Sequence, residues 1–400
     1  MRVRCASLDD NVSIIKGIRR MNNEVISNGR ASEAVTVPAL IEDTKPKKKR
    51  ASSGQNNKAI DFKLDIDAGA KRVKSRLNGK YKAFPSEGKE IKGEVPLRND
   101  GCFVYKKKSY IIGRGHDRAS GKMIMASQDN KLSCLDLWIL GAMTHYRKEL
   151  KAVVDTRRRK LQPCQINLHL RIVTLSSMLR KDLDKMLKQI ENFTWEDTEF
   201  KIIVKSCEFK DEGEGAALEV AHNKNCENFH LLDLGGGTIT HTSYGWDGED
   251  LSVESRTPIS GGGMVDISNK IFKALTRTDR GAIQAESDEI NEALELSKIE
   301  DCGWNVPLRT NGKLINIADE VEGALSEWVA KNYAIRKEFD LISQRLARGE
   351  KLFCSGGGFA VTVVADWILR YLSNGVLDAK IEILPSPEHI NVTGLKYLDN

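Results

Sequence analysis

The sequence predicts an α/β protein built from two similar halves, preceded by a basic arm. Three observations carry this reading. From Ala59 onward, strand-type and helix-type segments alternate. A strand running into a glycine-containing turn occurs twice, near residue 60 and again near residue 230. The net charge of +6 sits at one end: residues 1–58 hold 12 Lys+Arg against 6 Asp+Glu, whereas 59–400 hold equal numbers of each. A neutral body with a basic arm is not a general nucleic-acid-binding protein, and any contact with a polyanion falls to the arm. A solvated tail without a partner is the equal alternative.

The arm contains no aromatic residue and is densest in charge at KPKKKR (45–50). Val12, Ile15, Ile18 and Val25 give 9–28 enough apolar spacing for one short helix, and the remainder is expected to be disordered. The whole chain is 40% hydrophobic and 30% charged, with a mean hydropathy of −0.40, as suits a soluble globular protein. The richest apolar runs, 134–143 and 359–369, each contain an Asp and fall short of the ~18 residues of a membrane span. Eight cysteines are scattered without a CxxC or a zinc-type spacing, which predicts free thiols in a reducing cytosol. The opening MRVRCASLDD lacks the apolar core of a secretory signal.

The elements follow in order. AIDFKLDIDAG (59–69) alternates apolar and polar residues as a strand and turns at Gly69. Residues 72–87 read as a hairpin about Asn78-Gly79, and 103–115 as a second strand pair. Helical spacing covers 133–159, with Leu135, Trp138, Ile139, Ala142 and Tyr146 on one face. A buried strand at 165–175, an amphipathic helix at 180–193, a strand at 200–209 and a helix at 215–222 come next. FHLLDLGGGT (229–238) is a strand entering a glycine turn, paired with 239–245. Helices are expected over 262–275, 282–300 and 318–348, then strand, glycine turn and helix over 351–372 and a last strand at 380–385. His169 and His230 lie in apolar strands and read as buried, hydrogen-bonded core histidines. Trp138, Trp328 and Trp367 fit helix core or subunit-contact faces, with core favoured, and RRRK (157–160) a solvated loop or part of a subunit contact with acidic neighbours, with the loop favoured.

Three turns carry the chemistry: DIDAG (65–69), DLGGGT (233–238) and SGGGF (355–359). Glycine lets backbone N–H groups approach a phosphate, and a following helix N-terminus adds a favourable dipole. Asp67 and Asp233 each end a strand beside such a turn. Two strand-end carboxylates can converge on one Mg²⁺ held by nucleotide phosphates, because that ion prefers oxygen ligands and keeps its waters. A P-loop reading fails for want of GxxxxGK[ST], and a nicotinamide Rossmann reading for want of GxGxxG.

On these residues the chain resembles the actin-like ATPase superfamily and, within it, the ParM/StbA-type segregation actins of bacteria. IDAGAKRVK (66–74) resembles the first phosphate loop, with Asp67 on the Mg²⁺ side, Gly69 in the turn and Lys74 as the phosphate-facing base. The family's FPS follows at 84–86. DEGEGAAL (211–218) resembles the connecting segment, with Glu212 aligned to the water-activating carboxylate. DLGGGT resembles the second phosphate loop, with Asp233 as second Mg²⁺- or water-side carboxylate and Gly235, Gly236, Gly237 and Thr238 lining the phosphates. Gly262 and Gly263 match a ribose- and adenine-side helix start, and Gly356, Gly357 and Gly358 the adenosine loop. EHINVTGLKYL (388–398) resembles the subgroup's NVxG tail, and the match spans about 59–398. Ala68 and Ala70 depart from the polar residues usual in the first loop, where Lys71 and Arg72 either compensate or face solvent. The usual proline is missing from the connecting segment, so Glu212 and Glu214 compete for the catalytic role.

The resemblance implies an actin-like ATPase fold: two similar RNase H-like domains, 59–226 and 227–376, flank a nucleotide cleft, and 377–400 returns to the first. It implies ATP as substrate, ADP as product and Mg²⁺ as cofactor, with slow hydrolysis coupled to head-to-tail filaments in the cytoplasm. The implied task is plasmid or DNA segregation through a ParR-like DNA-binding adaptor, with no direct sequence-specific DNA binding. Alternatives are a filament serving cell shape or cortical scaffolding, with residues 1–58 meeting an anionic membrane or acidic partner, and a non-polymerising small-molecule kinase of the same fold.

Overall fold

The computed structural model describes residues 59–69, 71–92, 100–116, 119–125, 134–156, 163–174, 180–224, 226–277 and 283–399. The basic arm, its expected helix at 9–28, Ala70 and the run at 157–160 lie outside the described residues.

The first half opens with β1 (Ile60–Ala68), β2 (Arg72–Leu77) and β3 (Lys80–Pro85). The β2–β3 turn places Asn78 and Gly79 at φ 46° and 83°, the left-handed pair that a two-residue hairpin requires. β4 (Glu87–Ile91), β5 (Cys102–Tyr105), β6 (Lys108–Ile112) and β7 (Gly121–Met125) precede α1 (Leu135–His145) and α2 (Arg147–Asp155). β8 (Cys164–Thr174), α3 (Arg180–Leu187), β9 (Phe193–Trp195), β10 (Thr198–Asp211) and α4 (Glu214–Lys224) complete it. These strands form one sheet in the order β3-β2-β1-β8-β10-β9-β5-β6-β4-β7. Phe62, Leu64 and Ile66 of β1 share a core with Trp138, Ile139 and Met143 of α1.

The second half runs β11 (Asn228–Leu234), β12 (Thr238–Trp246), β13 (Leu251–Ser260), α5 (Met264–Leu275) and α6 (Ser287–Glu295). Two small hairpins follow, β14 (Lys298–Glu300) with β15 (Gly303–Asn305) and β16 (Pro307–Thr310) with β17 (Lys313–Asn316). Then come α7 (Ala318–Lys331), α8 (Tyr333–Ala347), β18 (Lys351–Ser355), a 3₁₀ turn at Gly357–Ala360, α9 (Thr362–Ser373) and β19 (Lys380–Ile383). The chain ends in α10 (Ile390–Thr393) and a 3₁₀ turn at Gly394–Leu398. The five-stranded sheet is β13-β12-β11-β18-β19. Its order matches β3-β2-β1-β8-β10, and the senses match too: three consecutive antiparallel strands, then two parallel ones. The duplication seen as two strand–turn motifs is therefore a duplication of topology.

Several elements depart from the sequence reading. The helix expected over 133–159 breaks at Tyr146 (φ −91°, ψ 59°), whose hydroxyl donates to Ser75 O at 2.8 Å. The 318–348 helix breaks at Asn332, whose side chain accepts from Ile335 N and starts α8. Helix 282–300 shrinks to α6 because 298–300 pairs with β15. α3 stops at Leu187, and Phe193 enters β9 to stack on Phe200 at 5.1 Å. His230 is buried as expected, but His169 is half-exposed, bonded to Ser206 at 3.0 Å. Trp138, Trp328 and Trp367 are all core residues. The seven cysteines among the described residues are free thiols, and no described helix is long and apolar enough to cross a membrane.

The last turn is tied to the first sheet by buried charge. Asp65 of β1 accepts from Arg76 Nε and Arg171 Nε, each at 2.6 Å, and both guanidinium groups also reach Asp399. Removing one partner of such a network strands the others in low dielectric. Asp65→Ala is expected to lower unfolding stability by about 3–5 kcal/mol in urea titration, and Asp399→Asn, at a partly exposed site, by less.

Candidate active site

The first glycine turn is built from inside the first sheet. A Cβ on Gly69 would lie 2.8 Å from Arg72 O, so the tight return into β2 excludes a side chain there. Ser86 clamps the turn from both sides: its Oγ donates to Gly69 O and its N–H to Lys71 O at 3.0 Å. Phe84, two residues before that serine, stacks on His145 at 4.3 Å. Asp67 and Lys74 face each other across the β1–β2 ladder, so their side chains share a face. Lys74 Nζ lies 3.2 Å from Asp67 Oδ2. Burial opposes its charge, yet Asp67, Asp233 and Glu212 outweigh burial and raise the ammonium above its ordinary pKa.

The second turn repeats the plan with different partners. Gly235 N–H bonds Thr238 O at 2.9 Å, and Asp233 ends β11 opposite Ser355, its parallel neighbour on β18. Asp233 Oδ2 accepts from Ser355 Oγ at 2.9 Å and from Asn391 Nδ2 at 2.8 Å. Gly356 has φ 93°, and a Cβ there would meet Leu234 O at 2.5 Å and Asp233 Oδ1 at 2.7 Å. Gly358 packs on the Leu234 side chain, whereas Gly357 has open space where a side chain would be. Gly263 lies directly against this loop, where a Cβ would be 2.6 Å from Gly236 O, whereas Gly262 packs on Ile239 and Ile335. The Met264 and Val265 amides donate to Gly235 O and Gly236 O at 3.0 and 2.9 Å, and Gly261 N–H donates to Gly237 O at 2.9 Å. The first amides of α5 thus hold the second loop in place.

Glu212 follows β10, its N–H donating to Thr174 O at 3.2 Å, and its charge acts on Lys74. Glu214 is engaged in the start of α4: it accepts from Asp211 N at 3.0 Å and pairs with Lys210 at 3.3 Å. Lys71 is exposed at the surface of the turn and has no carboxylate at bonding distance. It crosses to the second half, donating to Asn291 Oδ1 at 3.0 Å, and Asn291 Oδ1 also accepts from Ser268. Desolvation of its ammonium end pushes the Lys71 pKa below its ordinary value despite Asp288 and Glu295 nearby.

The structure thus brings Asp67, Lys74, Asp233 and Glu212 together, with Gly69, Gly235, Gly236, Gly237 and Thr238 in the adjoining turns. Gly356 lies against the second carboxylate and Gly263 against the turn that follows it, whereas Gly262 packs on Ile239, Gly358 on Leu234, and Gly357 faces open space. Among the described residues no three His, Cys, Asp or Glu side chains converge to hold an ion directly. Asp67 and Asp233 suit a hydrated Mg²⁺ gripped through its waters. Ser355, Asn391 and Asn291 escaped the sequence reading. Ser355 stands inside the noticed SGGGF and Asn391 inside the noticed tail, but neither spacing reveals a bond to Asp233.

No protein-family model matches this chain, and no curated protein matches it in sequence. Solved structures do. A ParM, the non-polymerisable quadruple mutant of pCBH ParM, aligns at TM-score 0.58 with 16% identity, over 85% of this chain and 99% of that one. Ta0583, an archaeal actin homolog, aligns at 0.57 with 15% identity over 84% and 99%. The subunit of the MamK double helical filament aligns at 0.55 with 15% identity over 85% and 99%. The chain has the actin-like fold.

Gly356 offers a direct check on this geometry. Gly356→Ala is expected to lower stability by about 1–3 kcal/mol in urea titration, because the left-handed backbone is strained and the new methyl meets Leu234 O. Alanine at Gly357, where the space is open, is expected to cost much less.

Proposed function

We propose that this protein is an actin-like ATPase that binds ATP with Mg²⁺ between its two halves and assembles head-to-tail into filaments. The observation that carries the proposal is the meeting of Asp67, Lys74, Asp233 and Glu212 between two glycine turns that descend from topologically equivalent strands. The fold adds support, since its neighbours include the 15-stranded ParM filament from Clostridium botulinum, the MamK filament and Ta0583 in complex with ADP.

In this reading the glycine turns present backbone N–H groups to the phosphates, and Lys74 supplies positive charge beside them. Asp67 and Asp233 would hold Mg²⁺ through its waters, and the ion would supply positive charge against the phosphates. Glu212 orients the attacking water. It takes this role over Glu214 because its charge acts on Lys74 at the site, whereas Glu214 caps the start of α4. Gly356–Gly358 and the start of α5 form the nucleoside side. The γ-phosphate would bias closure of the halves and thereby the shape that stacks subunits.

The cellular task we assign is DNA or plasmid segregation in the cytoplasm through a DNA-binding adaptor of the ParR kind. The balanced charge of 59–400 favours indirect over direct DNA contact.

Right-angle light scattering tests assembly: a rise is expected on adding ATP with Mg²⁺, and a flat trace with every nucleotide would remove the filament. Glu212→Ala is expected to retain nucleotide binding while phosphate release falls on the order of 10²-fold or more, whereas Glu214→Ala should turn over near the wild-type rate and melt at lower temperature.

A further inference from the structure

The C-terminal tail, 387–399, touches the third glycine turn, the first hairpin, α4 and Asp233. Pro387 O accepts from Gly356 N–H at 2.9 Å, which ties the tail to the third glycine turn. His389 Nδ1 and Tyr81 Oη lie 2.6 Å apart, which ties it to the first hairpin. Gly394 packs on α4 backbone to backbone: a Cβ on Gly394 would lie 1.9 Å from Gly215 O, and one on Gly215 would lie 2.1 Å from Asn391 O. Asp399 closes the charged network with Arg76 and Arg171. Asn391, between these anchors, is 5% exposed and donates to Asp233 at 2.8 Å.

Two features make this more than a satisfied core amide. Both donors to Asp233, Ser355 Oγ and Asn391 Nδ2, go to the same oxygen, Oδ2. Oδ1 is left toward the glycine turns, 2.7 Å from the Cβ position of Gly356 and 4.0 Å from that of Gly235. Meanwhile Asn391 Oδ1 is buried without a hydrogen-bond partner. A buried amide normally satisfies both ends. This one accepts a half-satisfied state while keeping its NH₂ on the carboxylate.

We infer that Asn391 is a positioning residue: it fixes which oxygen of Asp233 faces the bound nucleotide, so that docking of the C-terminal tail and Mg²⁺-dependent nucleotide binding are coupled. The inference rests on the nucleotide reading of the site. Asn391 acts through Asp233. Seating the tail presents Oδ1 toward the phosphate side, where it can take a water of Mg²⁺, and binding of nucleotide with Mg²⁺ in turn favours the seated tail.

The test uses the full chain and a fluorescent ATP analogue, read by anisotropy in EDTA and across a Mg²⁺ titration. Asn391→Leu, near in size, is expected to bind as wild type in EDTA and to lose about tenfold of the tightening that Mg²⁺ gives, the weight of one hydrogen bond to a charged group. Ser355→Ala removes the other donor to the same oxygen and is expected to act in the same direction. A purely structural role would lower melting temperature but leave the ratio of affinities with and without Mg²⁺ unchanged. In the wild type, amide exchange over 388–398 is expected to slow with nucleotide and Mg²⁺ and not with nucleotide in EDTA. Equal Mg²⁺ tightening in wild type and both variants, or tail exchange indifferent to Mg²⁺, overturns the inference while the nucleotide site stands. A wild type without affinity for the analogue under either condition overturns the nucleotide reading itself.

Discussion

One ammonium group placed among three carboxylates fixes the rest of the site. Lys74 bonds Asp67 and feels Asp233 and Glu212, each from a different strand end. Removing carboxylates from water is costly unless a partner is present, and breaking such a cluster costs more than forming it returns. Lys74 therefore makes it tolerable for β1, β10 and β11 to end in acids at one place. It does not neutralise them. The remaining negative charge would repel a bare triphosphate and favour phosphate that arrives with a divalent cation. The charge of these four groups agrees with the proposed ligand, phosphate accompanied by a divalent cation.

The equivalent topologies of the two sheets explain where these acids stand. In each half an Asp ends the first strand and a glycine follows two residues later, at 69 and at 235. In each, the Oδ1 of that Asp lies 4.0 Å from the Cβ position of the glycine. In each, Oδ2 is occupied. The partners differ: the ladder places Lys74 opposite Asp67 but Thr240 opposite Asp233. Thr240 supplies no cation, and the second half recruits Ser355 and Asn391 in its place. Duplicated backbones have been fitted with unlike side chains, and the cationic half is the one that meets Glu212.

What was legible in the sequence followed periodicity and turn chemistry. The alternation of 59–69, the Asn78-Gly79 turn and the glycine runs at 235 and 356 are local signals, and each marks the element found. Breaks at Tyr146 and Asn332 were not legible. In the first a hydroxyl reaches Ser75 in a distant strand, and in the second one side-chain cap divides a pattern that is helical on both sides. The hairpins β14–β15 and β16–β17 were hidden because their strands are three or four residues long, too short to show a period of two. At the site, the acids and glycines were visible as residue types beside turns. Their second partners were not: Ser355 and Asn391 lie 122 and 158 residues from Asp233, a separation that only the fold closes.

The contacts that join the two halves beside the first turn differ in weight from those that build each half. Arg72 and Glu295 are 4.0 Å apart and largely exposed, an arrangement that contributes little in water. Lys71, exposed at the turn, is held by one hydrogen bond to Asn291. Against these stand the fully buried cores of each sheet and the Asp65–Arg76–Arg171–Asp399 network. An exposed ammonium held by a single amide oxygen can exchange that partner for phosphate oxygens, which bond it more strongly. The same lysine that spans the halves in this structure would therefore gain by turning toward a nucleotide. Closure around a ligand would then exchange a weak bond for a stronger one, while each half, set by its own core, stays as it is.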